Sequence, residues 1–336
     1  MSTSFRLLSI VGWSYLVSLL LWLSFRLLFF DGFWWLALLN TFAPYLFLPL
    51  IILLPLALWY RRRTLFFGMI LGCLLFVVLL QPRLHFFSKV APTTSADSLL
   101  KVMTFNILWS NQDYGKIAQM IRQTKPDLIG VQELQPNQLS NLLKAIAPDY
   151  PHYIIHPVDR FHTVALFSRL PIETAKPLPE PPIERGIQAI VRVEDQRINV
   201  LVTHLAPNNM PLLPIDQFIA ETRDRYSRRA AETTYLKELV QQRSLPTVML
   251  CDCNLTDTSE AYQQLRKQLK DSFQERGQGL GHTIFISGVP FPIQRIDYVW
   301  HSDEIETIES FVASDGGSDH LPVVATLRVS TNALNP

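Results

Sequence analysis

Three long apolar runs open the chain, and shorter ones at a different spacing follow. Leu7–Phe25, Gly32–Tyr60 and Thr64–Pro82 carry no charged side chain over 19, 29 and 19 residues, near the roughly 20 apolar residues that cross a bilayer core. This pattern predicts three membrane helices, at about 7–29, 36–60 and 64–82. Pro44, Pro49 and Pro55 lie in the middle run, where a membrane helix tolerates proline better than a water-exposed one. Trp34 and Trp35 at its start have the character of interfacial anchors. From about residue 98 the apolar runs shorten to strand length. Strands are predicted at 100–107, 128–132, 163–167, 189–193, 198–203, 247–251, 296–299 and 323–329, and helices at 114–123, 136–145, 223–242 and 259–269. Such a mixture gathers strands into sheets with helices on their outer faces. The divisions are a membrane region 1–90, a polar linker 91–97, an α/β domain 98–330 and a tail 331–336.

Charge sharpens this division. Residues 1–90 hold seven Lys/Arg and one acid, Asp31, which leaves 23 basic and 28 acidic side chains in residues 91–336, a net of −5. Arg61, Arg62 and Arg63 between the second and third runs should stay cytoplasmic. An integral, multi-pass protein of the cell or inner membrane is expected, with a cytoplasmic N-terminus and the 98–330 domain extracytoplasmic. A cleavable signal peptide fits less well, since the first run is long for a signal core and lacks a small-residue cleavage pattern. Three cysteines form no disulfide framework, and Cys251 and Cys253 lie two apart in a predicted strand, near the upper limit of Cα separation for a bridge. Cysteine usage therefore says little about compartment.

Polar residues with chemical potential stand where the predicted strands end. Asn106 closes Thr-Phe-Asn, Glu133 follows Val131-Gln132, and His204 ends Val202-Thr203. Asp252 and Asn254 form an Asp-x-Asn turn, Asp297 sits in Arg-Ile-Asp-Tyr, and Ser318-Asp319-His320 precedes the last strand. Singly, each has an ordinary reading as a turn former, an interior histidine or an ion-pair partner. Their number and order carry the argument.

The ordered set, with Phe167 to Pro171 as Phe-Ser-Arg-x-Pro, resembles the endonuclease/exonuclease/phosphatase family. That family includes pancreatic-type deoxyribonucleases, abasic-site endonucleases, neutral sphingomyelinases and inositol polyphosphate 5-phosphatases. The resemblance implies an α/β (α+β) four-layer sandwich, two mixed β-sheets flanked by helices, here preceded by a helical membrane segment. It implies a phosphoester hydrolase dependent on Mg²⁺ or Mn²⁺, with Glu133 as principal metal ligand and Asn106 and Asp319 nearby. Oxygen ligands of this kind suit hard cations. It further implies that Asp252 activates the attacking water, that Asn254 holds it and the phosphate, and that His204 and His320 contact the phosphate, with Asp297 fixing His320. Two departures stand out: cysteine replaces the Gly and Phe of the family's Gly-Asp-Phe-Asn turn, and Phe161-His162 precede Thr163 where the family often has Gly.

Three functions compete. A nuclease is first by family frequency, although a net of −5 lacks the basic field that holds nucleic acid. Arg223, Arg225, Arg228 and Arg229 offer a phosphate track or, at helical spacing with Glu221, Asp224 and Glu232, a solvated face. A phospholipid-headgroup phosphodiesterase is second, supported by the bilayer as partner and by the apolar stretch 210–215. The third is a silent membrane receptor or scaffold, against which the complete motif set counts. No protein partner can be inferred.

Overall fold

Strands form in the second part of the chain where β-branched and aliphatic residues alternate between two covered faces. The computed structural model describes residues 3–80, 98–157, 163–207 and 213–329, in an N-terminal helical unit and a larger α/β unit. One six-stranded sheet of the α/β unit joins β1 (Leu99–Asn106), β2 (Leu128–Gln132), β3 (His152–Pro157), β4 (Thr163–Ser168), β11 (Ile305–Val312) and β12 (Val323–Val329) in the order β11-β12-β1-β2-β4-β3. The other joins β5 (Ile172–Pro177), β6 (Gly186–Val193), β7 (Gln196–His204), β8 (Thr247–Asp252), β9 (Lys270–Asp271) and β10 (Asp297–His301) in the order β5-β6-β7-β8-β10-β9. Both sheets are mixed, since β1–β2 and β7–β8 run parallel while the other pairings are antiparallel.

The sheets pack face to face over Leu100, Val102, Leu166, Val200, Val202 and Leu250. Helices α5 (Tyr114–Thr124) and α6 (Pro136–Ile146) cover the outside of the first through Ile117, Ile121 and Leu142; α7 (Ile215–Gln241) and α8 (Glu260–Arg266) cover the second through Leu236, Val240, Tyr262 and Leu265. The predicted sandwich of two mixed sheets flanked by helices is thus observed. Each central parallel pair ends at one edge of the sandwich. Asn106 pairs with Gln132 at the close of β1 and β2, and His204 with Asp252 at the close of β7 and β8.

The predicted strands all form, but β3, β5, β9 and β11 and the short α9 (Ser272–Arg276) lie outside the predicted set. β3 and β5 are edge strands, and β5 is half exposed, so neither shows a buried run. In β11 the register shifts between Thr307 and Glu309, which breaks the two-residue alternation that marks a strand. Helix α7 begins eight residues before its predicted start, because its first turns are polar and largely exposed.

In the helical unit one segment, Arg6–Phe29 within α1 (Thr3–Phe29), is by itself long and apolar enough to cross a membrane. The predicted second span is two segments bent by 72°, α2 (Trp34–Thr41) and a 3-10 turn (Ala43–Phe47) running into α3 (Pro49–Trp59). Pro44 accounts for the break, since it lacks an N–H donor and disfavours helical geometry in the residue before it. The third run forms α4 (Arg63–Leu80), a shorter apolar helix. Three clean spans are therefore replaced by one full-length helix, a bent pair and a short helix. Side chains from all of these meet at Trp22, Leu36, Phe47, Leu50, Leu65 and Met69. Asn40 is buried among them, accepting from Trp22 Nε1 at 3.1 Å and donating to Phe30 O and Asp31 Oδ1. Leu27, Ile51 and Leu71 are more than two-thirds exposed on the outer surface, the reverse of a water-facing bundle. The 91–97 linker, Phe161-His162, the 331–336 tail and residues 210–212 of the 210–215 stretch lie outside the described residues.

Close approach of the sheets at Gly130 yields a test. A Cβ there would stand 2.7 Å from Leu250 Cβ and 3.2 Å from Val202 Cγ1, both strand side chains with little freedom to move. Gly130→Ala should lower stability by about 1–3 kcal/mol, the usual cost of overpacking. Urea unfolding of the solubilised chain reads it, and a variant as stable as the parent would refute the tight packing.

Candidate active site

The two parallel strand pairs deliver their terminal polar residues to a common point. Asn106 Nδ2 donates to Glu133 Oε1 at 3.0 Å and to Asp252 Oδ2 at 2.9 Å, which ties one sheet to the other across the edge. Glu133 has φ +60°, a left-handed turn that ends β2, and its Oε2 accepts from Trp109 N. Asn254, at φ +49°, makes the corresponding turn after β8, a conformation asparagine adopts more readily than most residues. Its backbone N–H donates to Asp252 Oδ1 at 3.2 Å, and its Nδ2 to Leu205 O. Asp252 is thereby gripped on both carboxylate oxygens.

Two histidines face this carboxylate. His204 Nε2 lies 3.4 Å from Asp252 Oδ2 and 3.9 Å from Glu133 Oε1, and His320 Nε2 lies 4.0 Å from Asp252 Oδ2. Behind His320, Nδ1 is 2.9 Å from Asp297 Oδ2. Ser318 holds that segment to β1, its Oγ donating to Asn106 O and accepting from His320 N. Asp319 is at the rim, with Oδ1 near Ser318 Oγ. All eight residues singled out from the sequence converge here.

Burial and like charge set the electrostatics. Desolvation, then the neighbouring Asp297 carboxylate, raises Asp252 from the carboxylate range to about 7, despite opposition from His320 and the Asn106 hydrogen bond. Burial alone would lower His320, but Asp297 and Asp252 outweigh it and raise the imidazole to about 10. Asp319 is raised by desolvation, and Glu133 adds like charge in spite of His320. The buried Asp297 Oδ1 has no hydrogen-bond partner among the described residues.

Several positioning residues gave no sequence signal. Buried Arg185 brings Nη1 to 3.5 Å from His204 Nδ1. A guanidinium only donates, so in this contact Nδ1 is the acceptor, and Nε2 faces Asp252. Thr283 accepts from the backbone N–H groups of Ile296 and Asp297 through Oγ1, and its carbonyl takes Leu321 N–H. It thus aligns Asp297 with His320. An isolated Arg before a strand or a Thr in a loop has no periodicity or motif to mark it.

Three of the four arginines of the cluster have partners within the fold, while Arg223 is exposed. Arg225 pairs with Glu221, and Arg228 with Glu184 and Asp224. Arg229 is buried, with Nη1 donating to Ala206 O at 3.0 Å and Asn254 O at 2.6 Å. Glu232, raised to about 6 by burial against the pull of the Ala206 N–H, Arg185 and Arg229, lies in the same buried network. Arg229 therefore supports the Asn254 turn from behind. Cys251 and Cys253 also depart from the expected geometry, since they form a disulfide with Cα atoms 5.1 Å apart. β8 ends at Asp252 and the chain curls at Cys253–Asn254, so the separation is shorter than along an extended strand.

The donor set fits a divalent cation. Glu133, Asp252, Asp297 and Asp319 gather four carboxylates around one raised histidine, an excess of negative charge that a cation would relieve. Asp252, Asp297 and His320 also offer three ligand atoms within 4.8 Å of one another. The Asp297–His320 hydrogen bond already uses two of them, and hard cations prefer oxygen ligands.

The source of the His320 shift is testable by NMR titration of its ring protons. His320 should stay protonated from pH 7 to 9 and lose its proton towards 10, while Asp297→Asn should bring that titration clearly down. An unchanged midpoint would contradict the assignment of Asp297 as its partner. Arg229→Ala should cost about 1–3 kcal/mol of stability by leaving buried carbonyls unpaired, with urea unfolding as the readout.

Residues 103–320 match the model of the Endonuclease/Exonuclease/phosphatase family. Among solved structures, an endonuclease/exonuclease/phosphatase from Bacteroides vulgatus is 20% identical with a TM-score of 0.55, covering 69% of this chain and 99% of its own. An AP endonuclease from Archaeoglobus fulgidus is 18% identical with a TM-score of 0.54, covering 67% and 98%. A mannosyl-6-phosphatase of Bacteroides thetaiotaomicron is 21% identical with a TM-score of 0.52, covering 68% and 99%. No curated protein sequence matches the chain. With the family model spanning well over half of its residues and the strand-end constellation in place, the chain belongs to the endonuclease/exonuclease/phosphatase family.

Proposed function

We propose that this protein is a membrane-anchored, divalent-metal-dependent phosphodiesterase with a nuclease-like centre. The observation that carries the reading is Asp252, held on both oxygens and raised to about 7, facing a charged His320 that Asp297 fixes. A carboxylate poised near neutrality can take a proton from water, and the matched pKa favours general-base catalysis. Asn106 and Asn254 N–H hold Asp252 in register for that transfer. His320 directs Nε2–H into the site, where it donates to a phosphoryl or leaving oxygen as charge develops. His204 adds a second donor. Mg²⁺ or Mn²⁺ bound by Glu133, beside Asn106 and Asp319, would neutralise charge on the phosphoryl oxygens. A silent receptor has no use for this arrangement.

Two substrate classes remain distinct. The nuclease reading rests on the family and on the AP endonuclease likeness in fold; Arg225, Arg228 and Arg229 are engaged within the fold and add little to it. A phospholipid-headgroup diester is favoured by Leu213 and Ile215, both exposed at the start of α7, and by the apolar outer surface of the helical unit.

Topology depends on the bent pair. If α2 and α3 together cross the bilayer, the Arg61–Arg63 loop returns to the cytoplasmic side and α4 carries the catalytic domain out. If the pair turns back, the domain lies inside. Positive-inside bias favours the crossing, and the Cys251–Cys253 disulfide favours an oxidising compartment outside the cytosol.

With Mg²⁺ or Mn²⁺ present, the full chain should cleave a simple phosphate diester, and Asp252→Asn or His320→Ala should lower the rate by roughly 10²–10⁴. Near-parental turnover in either folded variant would reject the mechanism. Glu133→Gln should raise the metal concentration needed for half-maximal activity, and full activity in excess chelator would exclude metal dependence. Protease added to intact cells, or to spheroplasts where an outer membrane exists, should reach the catalytic domain. Cleavage only after lysis would place it in the cytoplasm.

A further inference from the structure

A second cationic cluster, unused by the hydrolytic chemistry, lies in the helical unit. Helix α3 ends at Trp59, and Arg61 then adopts φ +54°, a conformation that favours glycine. Two backbone bonds close the turn, Arg62 N to Ala57 O at 2.8 Å and Arg61 N to Leu58 O at 2.9 Å, the paired pattern of a left-handed helix cap. The chain reverses sharply, and α4 starts at Arg63. The reversal gathers three consecutive guanidinium groups around one cavity of about 550 Å³, lined also by Phe66 and Phe67.

Asp31 is the single acid in residues 1–90, and neither Arg61 nor Arg63 has a carboxylate partner among the described residues. Trp59 and Phe67 beside the cluster are 82% and 67% exposed. Orientation of a membrane helix needs positive charge in the loop, but it does not require a cavity or an arginine in place of glycine at the turn.

We propose that this cavity binds the phosphate of an anionic lipid headgroup. Arginine forks match phosphate oxygens in pairs, and exposed aromatic rings at the same level suit the bilayer interface. A zwitterionic headgroup would bring its own ammonium against Arg61 and Arg63, which have no carboxylate partner among the described residues, so the site discriminates by net charge. Basic pockets at the ends of membrane helices favour anionic lipid for this reason. The inference rests on the membrane-anchoring reading.

The test uses the full chain purified in mild detergent, with native mass spectrometry to read bound phosphatidylglycerol or phosphatidylcholine. Phosphatidylglycerol should be retained at least tenfold better, and the Arg61→Gln, Arg62→Gln, Arg63→Gln triple variant should lose that preference. Arg61→Gly keeps the turn conformation, so a several-fold loss in that variant reports charge and not folding. Equal retention of the two lipids, or preference unchanged in both variants, would overturn the site. Displacement of the lipid by inorganic phosphate at equal concentration would assign the cavity to soluble phosphate and refute the lipid source. Alkaline carbonate extraction separates the two failures: a chain released from membranes loses the anchoring itself, whereas one that stays but shows no lipid preference loses only this site.

Discussion

Confining Asp252 beside Asp297 and Glu133 is the constraint around which the catalytic unit is built. Like charges at this spacing and depth repel strongly, because little water screens them. The structure offsets that repulsion with fixed donors. Asn106 bridges Glu133 and Asp252 across the two sheets, the Asn254 N–H caps the other oxygen, and His320 carries a compensating charge. Each donor in turn depends on packing further out. Arg229 holds the Asn254 carbonyl, Thr283 aligns Asp297 with the His320 segment, and Arg185 lies behind His204. The site is therefore a property of the sandwich edge as a whole, where two parallel strand pairs end together.

Much of this was legible in the sequence because strand ends leave a signal. Apolar runs that stop at Asn106, Glu133, His204 and Asp252 mark the positions where chain direction changes and polar groups emerge. The supporting layer left none. Arg229 reads as one of several helical arginines, yet it is buried while Arg223 nearby is exposed; spacing along a helix does not tell which of two adjacent faces meets a carbonyl. β11 was hidden by its bulge, and the Cys251–Cys253 bridge by a curl that begins only after β8 ends.

The N-terminal helical unit shows the opposite imbalance. Hydrophobicity there is so uniform that run length was the main guide, and run length does not register where a helix breaks. Pro44 bends the second run, while Asn40, buried with Trp22 and Asp31, supplies a polar tie that uniform apolar packing would not. Such ties restrain helices that otherwise share only weakly directional contacts.

The central claim is that a near-neutral Asp252 and a charged His320 together perform phosphoester hydrolysis. The most direct measurement is the pH dependence of diester hydrolysis by the full chain at saturating Mg²⁺. A bell is predicted, with an acidic limb above the ordinary carboxylate range as Asp252 gives up its proton and an alkaline limb as His320 loses its own towards pH 10. Asp297→Asn should draw the alkaline limb downwards, and the acidic limb with it, because the Asp297 carboxylate also helps to raise Asp252. A rate that keeps rising past pH 10, or an alkaline limb indifferent to Asp297, would contradict the account.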